Sequence, residues 1–149
     1  MTLRHFNDLA YEEIGEENSE TILFLHAKLL DKWIWKRQKE SYDKYFKGFH
    51  CIFLDLPNHG ESISEEEFSI EKSSIEISEF INHIIDNKNI KKVNIVALGI
   101  GGSIAIEILN KAENVDFDIE YYQELLKNFG ENAELFFAKL NTEIYVKNS

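Results

Sequence analysis

The sequence is poor in the residues that most constrain small proteins: it has one cysteine, Cys51, and one proline, Pro57, among 149 residues. A single cysteine excludes an intramolecular disulfide, and nothing indicates an oxidising compartment. No apolar run approaches the roughly 20 residues that a membrane-spanning helix requires. Residues 1–17 have no continuous apolar core and no cleavage-like site, so we expect no signal peptide. These absences predict a globular, cytoplasmic protein.

Basic residues are also in short supply. Sixteen lysines and arginines stand against 27 aspartates and glutamates, which gives a formal net charge of −11. A charge of this sign repels nucleic-acid phosphates and anionic membrane surfaces, so we expect neither as a partner. Apolar residues make up 44% of the chain and aromatic residues 13%. This content is sufficient for a packed core in one small domain.

Short apolar runs alternate with longer amphipathic segments. The runs typical of buried strands cover residues 21–26, 51–56 and 93–97, and a less regular one covers 9–14. Amphipathic patterns predict helices over residues 31–46, 73–86 and 101–109. The second of these opens with Ser73 and Glu76 at capping-box spacing. Alternating strands and helices imply right-handed crossovers and an α/β fold, with a mostly parallel sheet and flanking helices.

The alternation stops near residue 112. We therefore assign residues 1–112 to the α/β part and residues 113–149 to a helical tail that packs on it. A helical stripe includes Ile119 and Phe129 and continues over residues 135–140. Residues 144–146 are expected to add one short strand.

A glycine-rich corner follows the third predicted strand, in the stretch NIVALGIGGSIAIEIL of residues 94–109. A dinucleotide-binding loop needs a third glycine where this chain has the bulky Ile104, which would keep the helix away from the strand. A nucleoside-triphosphate loop needs a lysine after its glycines, and none follows here. The frame of a hydrolase nucleophile elbow fits better. Ala97 and Gly101 occupy its small-residue positions, Gly102 is a further small residue, and Gly99 stands at the nucleophile position.

Three sequence blocks in register resemble the α/β-hydrolase fold family, especially its small esterase-, lipase- and epoxide-hydrolase-like members. Residues 24–35, FLHAKLLDKWIW, are similar to the family's His-Gly loop, with His26 in place and Ala27 where glycine is usual. Residues 54–62, LDLPNHGES, look like the Asp-x-Pro-Gly-His-Gly-x-Ser turn. That turn keeps Asp55, His59 and Gly60 and has asparagine at position 58. The third block is the elbow.

The resemblance covers residues 6–109, the first half of a full family member, and implies a truncated α/β-hydrolase core. Its implied activity is attack on an ester or similar acyl carbon. The family's nucleophilic serine aligns with Gly99, and the family's acid and histidine follow the elbow helix, beyond the matched residues. We therefore expect a catalytically inactive remnant with no cofactor and no metal. If the chain is active, it would be a carboxylic-ester hydrolase completed by a partner chain.

The resemblance also implies that part of the site survives. The family's oxyanion hole consists of backbone N–H groups, which by position belong to Ile100 and Lys28 here. The helix that starts at Gly101 adds partial positive charge beside them. An alternative function is therefore non-catalytic binding of a small carboxylate or an acyl group at this corner.

Other candidate nucleophiles have structural interpretations. Ser103 lies one helical turn beyond the elbow, where a hydroxyl usually bonds local backbone. Cys51 opens an apolar strand and is expected to be a small buried hydrophobe. Asp55 is expected to organise its loop by accepting backbone N–H groups. The strand of residues 93–97 would have an apolar edge without the family's later strands, so the tail or a second copy of the chain is expected to cover it.

Overall fold

The fold is a mixed α/β sheet with helices on both faces. The computed structural model describes residues 1–88, 90, 92–111, 115–116 and 135–141. Within these residues the sheet has seven strands in the order β1-β2-β4-β3-β5-β7-β6. The strands are β1 (Arg4–Phe6), β2 (Leu9–Ile14), β3 (Glu20–Leu25), β4 (His50–Leu54), β5 (Lys92–Leu98), β6 (Val115–Asp116) and β7 (Leu135–Asn141).

Parallel pairing is confined to the centre of the sheet. Strand β3 pairs in parallel with β4 on one side and with β5 on the other. These are the three strands predicted from continuous apolar runs, as expected for strands covered on both faces. The outer pairs, from β1 to β2 and from β2 to β4, are antiparallel. The α/β class is therefore confirmed, with a mixed sheet.

Two apolar clusters cover the two faces of the sheet. Because side chains alternate along a strand, Leu23 and Leu25 of β3 enter one cluster while Phe24 enters the other. The first cluster packs under helices α2 (Ile70–Lys88) and α3 (Ile100–Lys111). The second packs under short helical segments that include Trp35 and Tyr42.

Helix α2 begins before the predicted capping box. The helix includes Ile70, and the hydroxyl of Ser69 accepts the N–H of Lys72 at 3.0 Å, which is the N-cap geometry. Ser73 lies inside the helix and is buried, and no described group bonds its hydroxyl. The capping-box prediction at Ser73 and Glu76 is therefore wrong by one turn.

The predicted helix over residues 31–46 is broken into three parts. They are a 3₁₀ turn (Lys32–Trp35), helix α1 (Lys36–Glu40) and a π-helical turn (Tyr42–Phe46). The carboxylate of Asp31 caps the first part by accepting the N–H of Trp33 at 2.8 Å. Trp35 and Tyr42 both enter the second cluster, as expected for residues that lie close to two helical turns apart and therefore on the same side.

The tail differs from the prediction where the structure describes it. Residues Leu135–Asn141 form strand β7 and not a helix. This strand pairs antiparallel with all of β5, and β6 pairs with β7. The tail thus covers the β5 edge through a segment other than the predicted 144–146. Residues 144–146 and the predicted helix near residues 119–129 lie outside the described residues.

Candidate functional site

The elbow is a tight turn between β5 and α3. Gly99 follows β5 with φ of +57°, and the N–H of Gly102 donates to the carbonyl of Gly99 at 2.9 Å. Non-glycine residues adopt this left-handed region at a cost of about 1–3 kcal/mol, whereas glycine does so almost freely. The backbone at residue 99 therefore has the strained turn that the sequence frame predicts, occupied by the residue that strains it least.

Gly101 brings the start of α3 against the end of β3. A Cβ atom at this position would lie 2.7 Å from the carbonyl oxygens of both Leu25 and His26. Backbone atoms cannot yield as a flexible side chain can, so only glycine permits this approach. The neighbouring Gly102 is buried, as is Ala97, which pairs with Leu25 across β5 and β3. The elbow and the loop that begins at His26 therefore meet through their backbones.

The loop after β3 is a closed turn. The N–H of Leu30 donates to the carbonyl of Ala27 at 3.2 Å, and Leu29 has φ of +67°. Lys28 lies in this turn with an exposed side chain, and Ile100 is the half-buried first residue of α3. The two predicted oxyanion residues thus belong to the two segments that Gly101 holds together.

His26 has a structural role, because both of its ring nitrogens are hydrogen-bonded to the backbone. The N–H of Leu56 donates to its Nε2 at 2.9 Å, which places the imidazole proton on Nδ1. That nitrogen in turn donates to the carbonyl of Ala27 at 2.7 Å. Burial lowers the pKa of His26 below its ordinary value of 6.5. The ring is therefore neutral with both nitrogens occupied, so it orients two loops and is not placed as a general base.

Asp55 anchors the loop that follows β4. Its buried carboxylate accepts the backbone N–H of Lys32 at 2.7 Å and that of Glu61 at 2.9 Å. The Nζ atom of Lys32 also lies 2.6 Å from Asp55 and 3.0 Å from Glu61. Burial lowers the pKa of Lys32, but the hydrogen bonds and negative charges of these partners outweigh it, and the net effect is a raised pKa. Sequence reasoning missed Lys32, because its partners are distant in the chain.

Small residues close the same loop. Gly60 has φ of +51°, and a Cβ atom there would overlap the carboxylate of Asp55 at 2.5 Å. The hydroxyl of Ser62 donates to the carbonyl of Asp55 at 2.7 Å and accepts the N–H of Ala10 at 2.8 Å. The loop therefore rests on the carboxylate, the hydroxyl and the β2 backbone together.

His59 lies beside His26 in this region. Its ring centroid is 5.2 Å from that of His26 and 5.2 Å from that of Phe68. Its Nδ1 pairs with the carbonyl of Pro57 at 2.9 Å. His59 is half-buried, so it packs the loop against its neighbours.

An imidazole and a hydroxyl do meet elsewhere, at the opposite end of the sheet. The Nδ1 atom of His50 lies 3.2 Å from the hydroxyl of Thr21, and its Nε2 lies 2.7 Å from the carboxylate of Glu13. All three side chains are buried. Thr21 and His50 sit at the beginnings of β3 and β4, whereas the elbow follows the end of β5. The three side chains have the acid–imidazole–hydroxyl order of a catalytic triad. Because all three are buried away from solvent, their role is structural.

The remaining candidate nucleophiles differ in exposure. Cys51 is fully buried, and burial raises the pKa of its thiol to about 12. Such a thiol is inert at neutral pH, because the thiolate is the reactive form. Ser103 lies on the exposed side of α3. Within the described part of the chain, no group of three or more histidine, cysteine, aspartate or glutamate side chains is arranged to hold a metal ion.

Comparison with a family model decides the classification. The model described as alpha/beta hydrolase fold matches residues 20–115, well over half of the chain. The chain belongs to the α/β-hydrolase fold family. The match includes β3, the Asp55 loop and the elbow, which are the segments that the contacts described above join.

Individual relatives of this α/β-hydrolase-fold chain are distant. Protein ABHD14A of Mus musculus is 25% identical over 88 residues, or 59% of this chain and 34% of that protein. A thermophilic esterase from Thermogutta terrifontis, in a malate-bound structure, has 27% identity and a TM-score of 0.57, covering 69% of this chain and 35% of its own. An alpha/beta superfamily hydrolase from Oenococcus oeni PSU-1 has 23% identity and a TM-score of 0.59, covering 74% of this chain and 39% of its own. The chain thus spans about a third to two fifths of the length of these relatives.

None of the described helices is both long enough and apolar enough to cross a lipid bilayer.

Proposed function

We propose that this α/β-hydrolase-fold chain does not perform serine-dependent ester hydrolysis and instead binds a small carboxylate or acyl group at its elbow. The observation that carries the proposal is Gly99 in the left-handed turn between β5 and α3. A serine nucleophile supplies the oxygen that attacks the acyl carbon, and glycine has no side-chain atom to do so. Loss of the nucleophile removes most of such an enzyme's rate enhancement, while binding by backbone donors persists.

The backbone of the corner supports the binding part of the proposal. Oxyanion donors are main-chain N–H groups, which survive any side-chain replacement. Gly101 seats the N-terminal end of α3 on the carbonyls of Leu25 and His26, so the two segments that would supply the donors have a fixed relation. The first turn of a helix also carries partial positive charge, which favours an anion. These features support carboxylate binding at a corner that lacks the nucleophilic serine.

The comparison with the Thermogutta terrifontis esterase supports a carboxylate as the ligand class. That structure is described as malate-bound, and the two chains are 27% identical with a TM-score of 0.57. Malate carries two carboxylates and is not an ester. We infer that small carboxylates, including malate, are the compounds to test first on this chain.

An amide-resolved NMR titration tests the binding proposal. Acetate, butyrate and malate are added to isotope-labelled protein at constant ionic strength, with chloride as the matched control anion. We expect saturable shifts at the amides of Ile100 and Gly101, and at Lys28, with smaller shifts for chloride. Shifts that are equal for chloride, or absent at these three amides, would refute carboxylate binding at the elbow.

An ester-hydrolysis assay tests the catalytic part separately. The wild-type chain and a Gly99→Ser variant are compared on p-nitrophenyl acetate with a buffer blank. We expect both at the blank rate, because His26 has both ring nitrogens occupied and a serine without a base is a weak nucleophile. Hydrolysis by the wild type above the blank, lost in a Gly101→Ala variant that still folds, would contradict the inactive assignment.

A further inference from the structure

Charge is divided unequally along this acidic chain. Residues 27–48 hold seven of the sixteen lysines and arginines but only three of the 27 aspartates and glutamates. This segment therefore carries a formal charge of +4, and the rest of the chain carries −15. The expectation of no membrane contact rested on the whole-chain charge of −11, which conceals this separation.

Most of the cations of this segment are exposed to solvent. Lys32 is buried against Asp55, and Lys39 contacts Glu12 at 2.7 Å. The exposed cations are Lys28, Lys36, Arg37, Lys44 and Lys47. Two exposed acids, Glu40 and Asp43, lie among them. The solvent-facing side of the segment is thus net positive.

Exposed apolar side chains lie among the same cations. Leu29 is 86% exposed, Trp33 66% and Tyr45 64%, and Leu30 is 44% exposed. The ammonium group of Lys36 lies 5.4 Å from the ring centroid of Trp33. That of Lys44 lies 5.0 Å from the ring centroid of Tyr45. Each exposed aromatic ring of the segment therefore has a lysine directly beside it.

The helical segments that carry most of these residues cover one face of the sheet. Trp35 and Tyr42 pack into the same cluster on one face of the sheet, so the opposite sides of their helical segments point to solvent. Trp33, Lys36 and Arg37 follow one another at the i, i+3 and i+4 spacing that places residues on one helix face. We name the exposed residues of 28–47 the basic aromatic face.

We propose that the basic aromatic face docks the chain on the surface of an anionic phospholipid bilayer. Tryptophan and tyrosine rings favour the headgroup region, and lysine and arginine are attracted to anionic lipids. Leu29 and Leu30, on a turn tip, would enter the acyl boundary, as apolar side chains of peripheral proteins do.

The same features disfavour other partners. Nucleic acid offers phosphates for the cations and bases for the rings, but little to exposed leucines. The acidic remainder of a second copy matches the charge, yet its described exposed large apolar residues, Met1, Ile63 and Ile106, are scattered along the chain. The −15 remainder also repels the bilayer, so it would orient the molecule with this face down.

Tryptophan fluorescence gives a direct test, because Trp33 is exposed and Trp35 is buried. The full chain is titrated with vesicles of equal parts phosphatidylglycerol and phosphatidylcholine, and with pure phosphatidylcholine vesicles. We expect a blue shift with the anionic vesicles only, reversed in about 1 M NaCl, where the Debye length is about 3 Å. A Trp33→Phe variant should lose the shift while its Trp35 emission shows an intact fold.

Charge-reversal variants separate the face from general electrostatics. Lys36→Glu with Arg37→Glu should weaken partitioning into anionic vesicles about thirtyfold or more. The matched control, Lys72→Glu with Lys111→Glu, makes the same change in net charge on α2 and α3 and should partition like the wild type. Equal effects of the two pairs, equal binding to neutral vesicles, or no binding would overturn the proposal. A blue shift that grows with protein concentration in the absence of lipid would instead indicate a second copy of the chain as the partner. A blue shift with single-stranded RNA and none with vesicles would indicate a nucleic acid.

Discussion

Replacing Lys32 with methionine tests the contribution of the buried ion pair that anchors the loop after β4. The substitution keeps the aliphatic length of the side chain and removes the ammonium group 2.6 Å from Asp55. The side chains of Lys32 and Asp55 are only 8% and 0% exposed, so water cannot take the place of the lost partner. Removing one member of a buried pair costs about 3–5 kcal/mol. Asp55 keeps the N–H groups of residues 32 and 61, so we expect a cost near the lower end, about 3 kcal/mol.

Urea unfolding followed by circular dichroism measures this cost. With an m-value of about 2 kcal/mol per molar, a loss of 3 kcal/mol lowers the midpoint by about 1.5 M. The control is Lys36→Met, which removes an exposed lysine 3.9 Å from Glu40 and should change stability by less than about 0.5 kcal/mol. A Lys32→Met/Asp55→Asn double variant should be more stable than the sum of the single effects predicts. If Lys32→Met and Lys36→Met have the same midpoint, the buried carboxylate does not depend on its lysine and the reasoning is wrong.

Three further predictions concern Gly101, His26 and Cys51. Gly101→Ala should lower the free energy of unfolding by about 1–3 kcal/mol, because its Cβ would meet two carbonyl oxygens at 2.7 Å. The control, Ser103→Ala at an exposed position of the same helix, should leave the urea midpoint almost unchanged, and equal midpoints for the two variants would contradict the close contact. The pKa of His26 is below 6.5 in the folded chain, so the unfolded chain takes up a proton at this residue first as the pH falls. The free energy of unfolding should therefore decrease below about pH 6.5, by at most 1.4 kcal/mol per pH unit. A His26→Gln variant with the same decrease would show that His26 is not its cause. Cys51, whose pKa is raised to about 12, should fail to react with Ellman's reagent at pH 8 until urea unfolds the chain, and rapid native-state labelling would show that it is not buried.

Local patterns were sufficient for the centre of the fold. Continuous apolar runs identified β3, β4 and β5, since strands covered on both faces need no alternation of polar residues. Glycine spacing predicted a tight turn at Gly99, and its left-handed φ of +57° depends mainly on the residue itself and its immediate neighbours in the chain. These features depend on sequence that lies within one element or one turn.

Features that depend on distant pairing were missed or misread. Residues 135–140 have an apolar pattern that fits a helix, but β7 gains a complete antiparallel partner in β5, and that partner lies some 40 residues earlier in the chain. Lys32 is an ordinary lysine in the sequence, and only the fold brings it to Asp55. The sequence placed the N-cap of α2 at Ser73 and not at Ser69, because Ser73 and Glu76 have the residue types and spacing of a true capping box.

The contact at Gly101 has a consequence for protein engineering. Because main-chain atoms alone set the separation between α3 and β3 there, the frame does not depend on which side chain occupies the preceding turn. We expect a substitution at residue 99 to leave the Gly101 contact in place and to carry the conformational cost of a non-glycine residue in the left-handed region, about 1–3 kcal/mol. The elbow is therefore a scaffold on which reactive side chains can be tested one at a time at residue 99.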